Sequence, residues 1–121
     1  WDQPYCSGVC GPLIHQGKVY WAWQGLNCLN WETGELEWSG GRFGDPSSLA
    51  LTADDRLIRW ANEGDLVLAE TAKRSPGEYK QLAAKTGIFR TEAWPHLAVA
   101  EGRVYVKDRA GNLKCFLLSA P

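Results

Sequence analysis

The chain has no methionine, no run approaching the roughly 20 apolar residues of a membrane-crossing helix, and no block of like charge. Thirteen basic residues stand against fourteen acidic ones, for a net charge of −1. A balance this even, without a block of like charge, does not steer the chain to nucleic acid or to an anionic membrane, and neither partner is expected. The start Trp1-Asp2-Gln3-Pro4 has neither the positive flank nor the apolar segment of a secretion signal. It is expected to be the tail of an earlier structural unit, which makes the chain the C-terminal part of something longer.

Motifs that announce chemistry are missing as well. No HExxH, GxSxG, phosphate-binding loop or GxGxxG occurs, and Gly40-Gly41-x-x-Gly44 has the wrong spacing for the last of these. Cysteine is sparse: Cys6, Cys10, Cys28 and Cys115. Four cysteines permit three disulfide pairings, and the CxxxC of Cys6 and Cys10 is open to a redox reading. Structural zinc takes four ligands at close spacings, whereas His15 and His96 lie far apart, so no metal is expected. The carboxylate pairs Asp54-Asp55 and Glu35/Glu37 fall in a hairpin turn or on a short strand, where solvated side chains are expected rather than acid–base work.

What the chain does have is seven tryptophans and a recurring punctuation by glycine. Ala93 to Leu118 reads as strand, turn, strand, turn, strand, with breaks at Glu101-Gly102 and Ala110-Gly111. The pattern recurs upstream at Gln16-Gly17 with Gln24-Gly25, and more loosely at Asp54-Asp55 with Glu63-Gly64. Glycine and turn residues come too often for the ten-residue apolar stripe of a packed helix. An all-β chain follows, with no helix. The turn glycines Gly25, Gly64 and Gly111 lie 39 residues (25 to 64) and 47 residues (64 to 111) apart. Repeats of roughly 40 to 50 residues with four short strands mark propeller blades. Blades are expected near 7–40, 47–84 and 93–121, as four-stranded antiparallel sheets of an incomplete β-propeller within one partial domain. Cys28 and Cys115, at matching places in two repeats, are expected to be small buried packing residues.

The segment Cys28 to Trp38 resembles the blade motif of the quinoprotein-type, or PQQ-like, β-propeller repeat family. That motif has a small residue, an Asp two positions on, then Thr-Gly, and a Trp four residues after the Gly. Cys28, Thr33, Gly34 and Trp38 fit, while Asn30 replaces the Asp. Gly102 to Val106 and Gly111 to Leu113 are similar to the family's middle strands. In the second unit only the Gly64 turn and the strand pattern support the likeness. Thr33-Gly34 offers a tight hairpin, and Trp38, with Trp31 nearby, has the bulk to fill a wedge between blades.

Family members include dehydrogenases that bind pyrroloquinoline quinone and non-catalytic scaffolds similar to the lipoprotein component of the outer-membrane assembly machinery. The resemblance implies a periplasmic or other extracytoplasmic location. A quinone enzyme would need a vicinal Cys pair, a cation contact and a catalytic Asp, and no two cysteines here are adjacent. The expected function is therefore a structural or protein-interaction scaffold without cofactor or catalytic residues. The alternatives are the C-terminal part of a quinoprotein dehydrogenase and a glycan- or peptide-binding propeller. His96, following Trp94-Pro95 at the entrance to an inner strand, is the one candidate for a channel contact, against the alternative of a hydrogen-bonded histidine at a strand start. Partners are expected to be the remaining blades of a longer chain or a second copy, with the blade loops open to another protein.

Overall fold

The computed structural model describes residues 1–3, 11–22, 24–41, 47–61, 64–89 and 97–118. Its strands are short because turns interrupt them at the spacing seen in the sequence. The first sheet contains β1 (Leu13–His15), β2 (Lys18–Ala22), β3 (Leu26–Asn30) and β4 (Leu36–Gly40). The second contains β5 (Ser47–Leu51), β6 (Arg56–Ala61), β7 (Asp65–Glu70) and β8 (Gln81–Lys85), and the third β9 (Ala98–Ala100), β10 (Arg103–Lys107) and β11 (Leu113–Leu117). Each sheet is an antiparallel meander in chain order, and no helix occurs among the described residues. Among the described residues the third sheet thus shows three strands rather than the expected four.

Turn chemistry sets the registers. Gln16-Gly17 and Glu101-Gly102 are two-residue loops with positive φ at both positions, at 49° and 78° and at 50° and 74°. This is the type I′ geometry, whose twist matches that of the strands it joins. Between β5 and β6, Asp55 takes φ 62° and Thr52 clasps the loop by accepting the Arg56 N–H on Oγ1 at 3.0 Å. All three turns join the first two strands of a sheet. The first strands also meet across sheets: β5 lies against β1 and β2 on one side and against β9 on the other.

The registers sort side chains into rows. In the first sheet Leu13, Tyr20, Cys28 and Trp38 stand opposite one another across four strands, and Ile14, Val19, Leu29 and Leu36 form the row on the other face. We call the face toward the next sheet the front. The front row of the first sheet packs on Leu57 and Ala69 from the back of the second, with Ala72 beside them. The front of the second, through Ile58, Trp60, Leu66 and Leu68, packs on Val104, Val106, Val99 and Phe116 from the back of the third. The core is therefore two apolar slabs, one between each pair of successive sheets. Sheet-on-sheet burial of alternating side chains is the main stabilising term in such a stack.

Several expectations are corrected here. Trp38 is buried, but Trp31, expected beside it, is half exposed because it lies in the β3–β4 turn beyond the strand. Cys28 is fully buried whereas Cys115 is exposed, since among the described residues no sheet lies over the front of the third. Cys6, Cys10 and His96 lie outside the described residues.

Trp38 contacts Tyr20 and Tyr79 with ring centroids 6.0 and 5.9 Å away, so it bridges both sheets. Trp38→Ala is expected to destabilise the fold by about 3–5 kcal/mol, as for aromatic truncation in a core. Chemical denaturation measures it, and a change under about 0.5 kcal/mol would mean that the residue behaves as a surface one.

Candidate functional site

The motif residues gather at the β3–β4 turn. Asn30 Oδ1 accepts the backbone N–H groups of Glu32 and Thr33 at 2.9 and 3.0 Å, and the Asn30 carbonyl accepts the Gly34 N–H at 2.8 Å. An amide oxygen serves there as well as a carboxylate would. Gly34 has φ +75°, and a Cβ on it would strike the Trp1 ring. The Trp1 indole donates to the Trp31 carbonyl at 2.7 Å, and the Gln3 amide donates to the Gly34 carbonyl at 2.5 Å. Gly34 is therefore glycine for two reasons, a left-handed backbone and a docked indole. Gly64 and Gly111 also hold positive φ in their turns, and Gly111 closes a loop in which the buried Asp108 carboxylate accepts from the Asn112 backbone and side chain, each at 2.8 Å.

A polar seam joins the first two sheets at the hairpin end. His15 Nε2 lies 2.8 Å from Asp55 Oδ1, and Lys73 Nζ approaches Asp55 Oδ2 at 3.2 Å. Hydrogen bonds from His15 and then from Lys73 hold the Asp55 carboxyl below the usual carboxylate range. The neighbouring Asp54 is lowered too, first by the Thr52 hydroxyl that donates to it and then by the Arg56 guanidinium at 2.9 Å. Arg74 adds a bond to the Asp54 carbonyl at 3.2 Å and an ion pair with Glu70 at 3.1 Å. The pair read as solvated in the sequence is thus bonded on both members. Glu37 likewise receives Lys18 Nζ at 2.6 Å and Asn30 Nδ2 at 3.2 Å, and Lys18 is only partly exposed.

Below the seam the front row carries two buried acids that stay protonated. Burial pushes the Tyr20 hydroxyl and the Cys28 thiol each up to about 12. The Tyr20 hydroxyl accepts the Ala72 N–H at 2.8 Å, a bond spanning 52 residues of sequence. Arg59, also buried, donates to the Ser47 hydroxyl at 3.1 Å within the second sheet. Sequence reasoning missed the Tyr20–Ala72 bond because stacking of two sheets brings the pair together, with no local spacing to signal it.

An open groove of about 560 Å³ lies between the second and third sheets at the same end. Thr52, Asp54 and Arg56 line one wall and Ala100, Glu101 and Gly102 the other. The middle hairpin therefore serves both neighbours, Asp55 binding the first sheet and Asp54 with Arg56 facing the groove. No group of three or more potential metal ligands occurs among the described residues. No described helix is long and apolar enough to cross a membrane.

No protein-family model matches the chain, and no curated protein does. Solved structures do match in fold. The computationally designed Ika4 protein superposes with a TM-score of 0.70 at 14% identity, over 89% of this chain and 64% of that one. The computationally designed Ika8 protein superposes with a TM-score of 0.68 at 14% identity, over 88% of this chain and 32% of that one. At such identity the likeness is one of fold alone, and the chain spans under two thirds of either protein.

Two consequences are measurable. Tyr20→Phe strands the buried Ala72 N–H and is expected to lose about 1–3 kcal/mol of stability in denaturant unfolding. Asp55→Asn tests the seam by pH. A carboxyl with a lowered folded pKa contributes stability above its unfolded value, about 3.9, and loses it as pH falls through the lower folded value. The stability difference between wild type and Asp55→Asn is therefore expected at neutral pH and should vanish in acid below that range. A difference unchanged down to pH 2 would show that the seam does not act through the Asp55 charge.

Proposed function

We propose that the chain is a non-catalytic segment of a PQQ-like β-propeller, acting as a structural scaffold that presents its hairpin loops. The observation that carries this reading is the repeated face-to-back stacking: the front rows of the first and second sheets are each met by the back row of the following sheet, with first strands adjacent. Repetition of that step about a common edge is how blades surround an axis. The same three sheets match 64% of one neighbour and only 32% of another, as a fixed stretch of a modular stack would in proteins of different length. The polar groups support a structural role, since His15, Asp55, Lys73, Glu37 and Arg74 are all engaged in holding strands and sheets together. The remaining blades come from a longer chain or a second copy.

A second reading, a glycan- or peptide-binding propeller, rests on the groove with Asp54, Arg56 and Glu101 on its walls. The quinoprotein dehydrogenase alternative has no such observation behind it.

Thermal unfolding with pyrroloquinoline quinone and Ca²⁺ separates these readings. A ligand that binds only the folded state raises the melting temperature, by about 2.7 kcal/mol of stabilisation at a hundredfold excess over its dissociation constant. No shift is expected with the quinone, and a saturable rise would transfer the proposal to the dehydrogenase. Binding on glycan or peptide arrays that is lost in Glu101→Ala would instead favour the ligand-binding module.

A further inference from the structure

The two junctions between successive sheets differ at their hairpin end. Between the first and second sheets, the hairpin carboxylate of the following sheet is Asp55, and His15 and Lys73 hold it at 2.8 and 3.2 Å. Between the second and third sheets, the hairpin carboxylate of the following sheet is Glu101, and among the described residues no hydrogen bond or ion pair reaches it. The groove of about 560 Å³ stands open beside that carboxylate.

The groove offers three kinds of contact. Leu51, Leu68, Val99 and Leu118 give it apolar walls. Asp54 and Arg56 neutralise each other across 2.9 Å, so Glu101 leaves the site with one negative charge. Arg56 Nε is buried and has no acceptor among the described residues. A buried donor without a partner is costly, and a ligand that brings an acceptor relieves that cost.

These contacts specify an occupant. One unpaired carboxylate takes one cation, one unpartnered N–H takes a carbonyl oxygen, and the apolar walls take aliphatic carbon. A peptide segment carrying a basic side chain beside an aliphatic one supplies all three. A neutral glycan supplies no cation, and no aromatic ring lines the groove for a sugar face to stack on. The volume lies within the roughly 300–1,000 Å³ of ligand clefts.

We infer that the groove between the second and third sheets docks a basic–aliphatic peptide segment of a partner protein, its cation paired with Glu101 and a backbone carbonyl accepting from Arg56 Nε. This rests on the reading of the chain as a scaffold that presents its hairpin loops, and deepens it by naming the partner's chemistry. The charge of Glu101 can be removed without disturbing its turn. Gln16 holds φ 49° at the matching place in the first sheet, where Glu101 holds 50°, so Glu101→Gln keeps a side chain that the turn geometry accepts.

Calorimetric titration of the full chain with acetyl-Leu-Lys-Leu-amide, and with the same peptide carrying norleucine or glutamate at its centre, tests the inference. Saturable binding of the lysine peptide is expected. Either the norleucine exchange or Glu101→Gln should weaken it about tenfold, as for the loss of one charge-assisted hydrogen bond, with the melting temperature of the variant unchanged. Glu101→Lys is expected to turn the preference toward the glutamate peptide, a reversal that a merely structural role for Glu101 would not produce. No binding of the lysine peptide, equal binding of the norleucine peptide, an affinity untouched by Glu101→Gln, or a preference that Glu101→Lys leaves in place would each overturn the inference. So would binding of chitotriose that is lost in Glu101→Gln, since that assigns the groove to a glycan. The scaffold reading stands or falls separately, on the Trp38 and quinone measurements.

Discussion

The structure depends on burying the row Leu13, Tyr20, Cys28 and Trp38 against the back of the next sheet. A single antiparallel meander of five-residue strands has too little apolar area to hold itself together in water. Stacking supplies that area, with Tyr20, Cys28 and Trp38 all buried. Everything else in the first two sheets follows from this contact: Tyr20 reaches the Ala72 amide only because the slab is closed, and Cys28 stays protonated because it is dry.

Polar side chains then fix what apolar contact leaves loose. Apolar slabs slide at small cost, whereas hydrogen bonds fail when displaced by an ångström. The His15–Asp55–Lys73 seam pins the hairpin ends of two sheets to each other, and the Lys114 ammonium, 5.0 Å above the Phe89 ring and bonded to the Ile88 carbonyl at 2.8 Å, ties the third sheet to the connection before it. In both places the donors and acceptors are engaged in holding strands and sheets together.

The end sheets follow the same logic. The pair Tyr105 and Cys115 matches the register of the buried pair Tyr20 and Cys28, yet among the described residues Leu113, Cys115 and Leu117 stand exposed on the third sheet. The groove lined by Asp54, Arg56 and Glu101 lies among the hairpin loops at one end of the stack.

Much of this was legible beforehand. The all-β class, the two-residue turns at Gln16-Gly17 and Glu101-Gly102, the Thr33-Gly34 hairpin and the burial of Trp38 are properties of neighbouring residues, since turn chemistry and alternation act over two to six positions. Tertiary structure alone decided which sheet face meets which, and so parted Cys28 from Cys115, two residues alike in local sequence. It also turned Asp55 from a solvated loop carboxylate into the partner of His15, 40 residues away. The physical reason is that burial and pairing depend on whether another sheet lies overhead, a property of the stack that no local run of residues encodes.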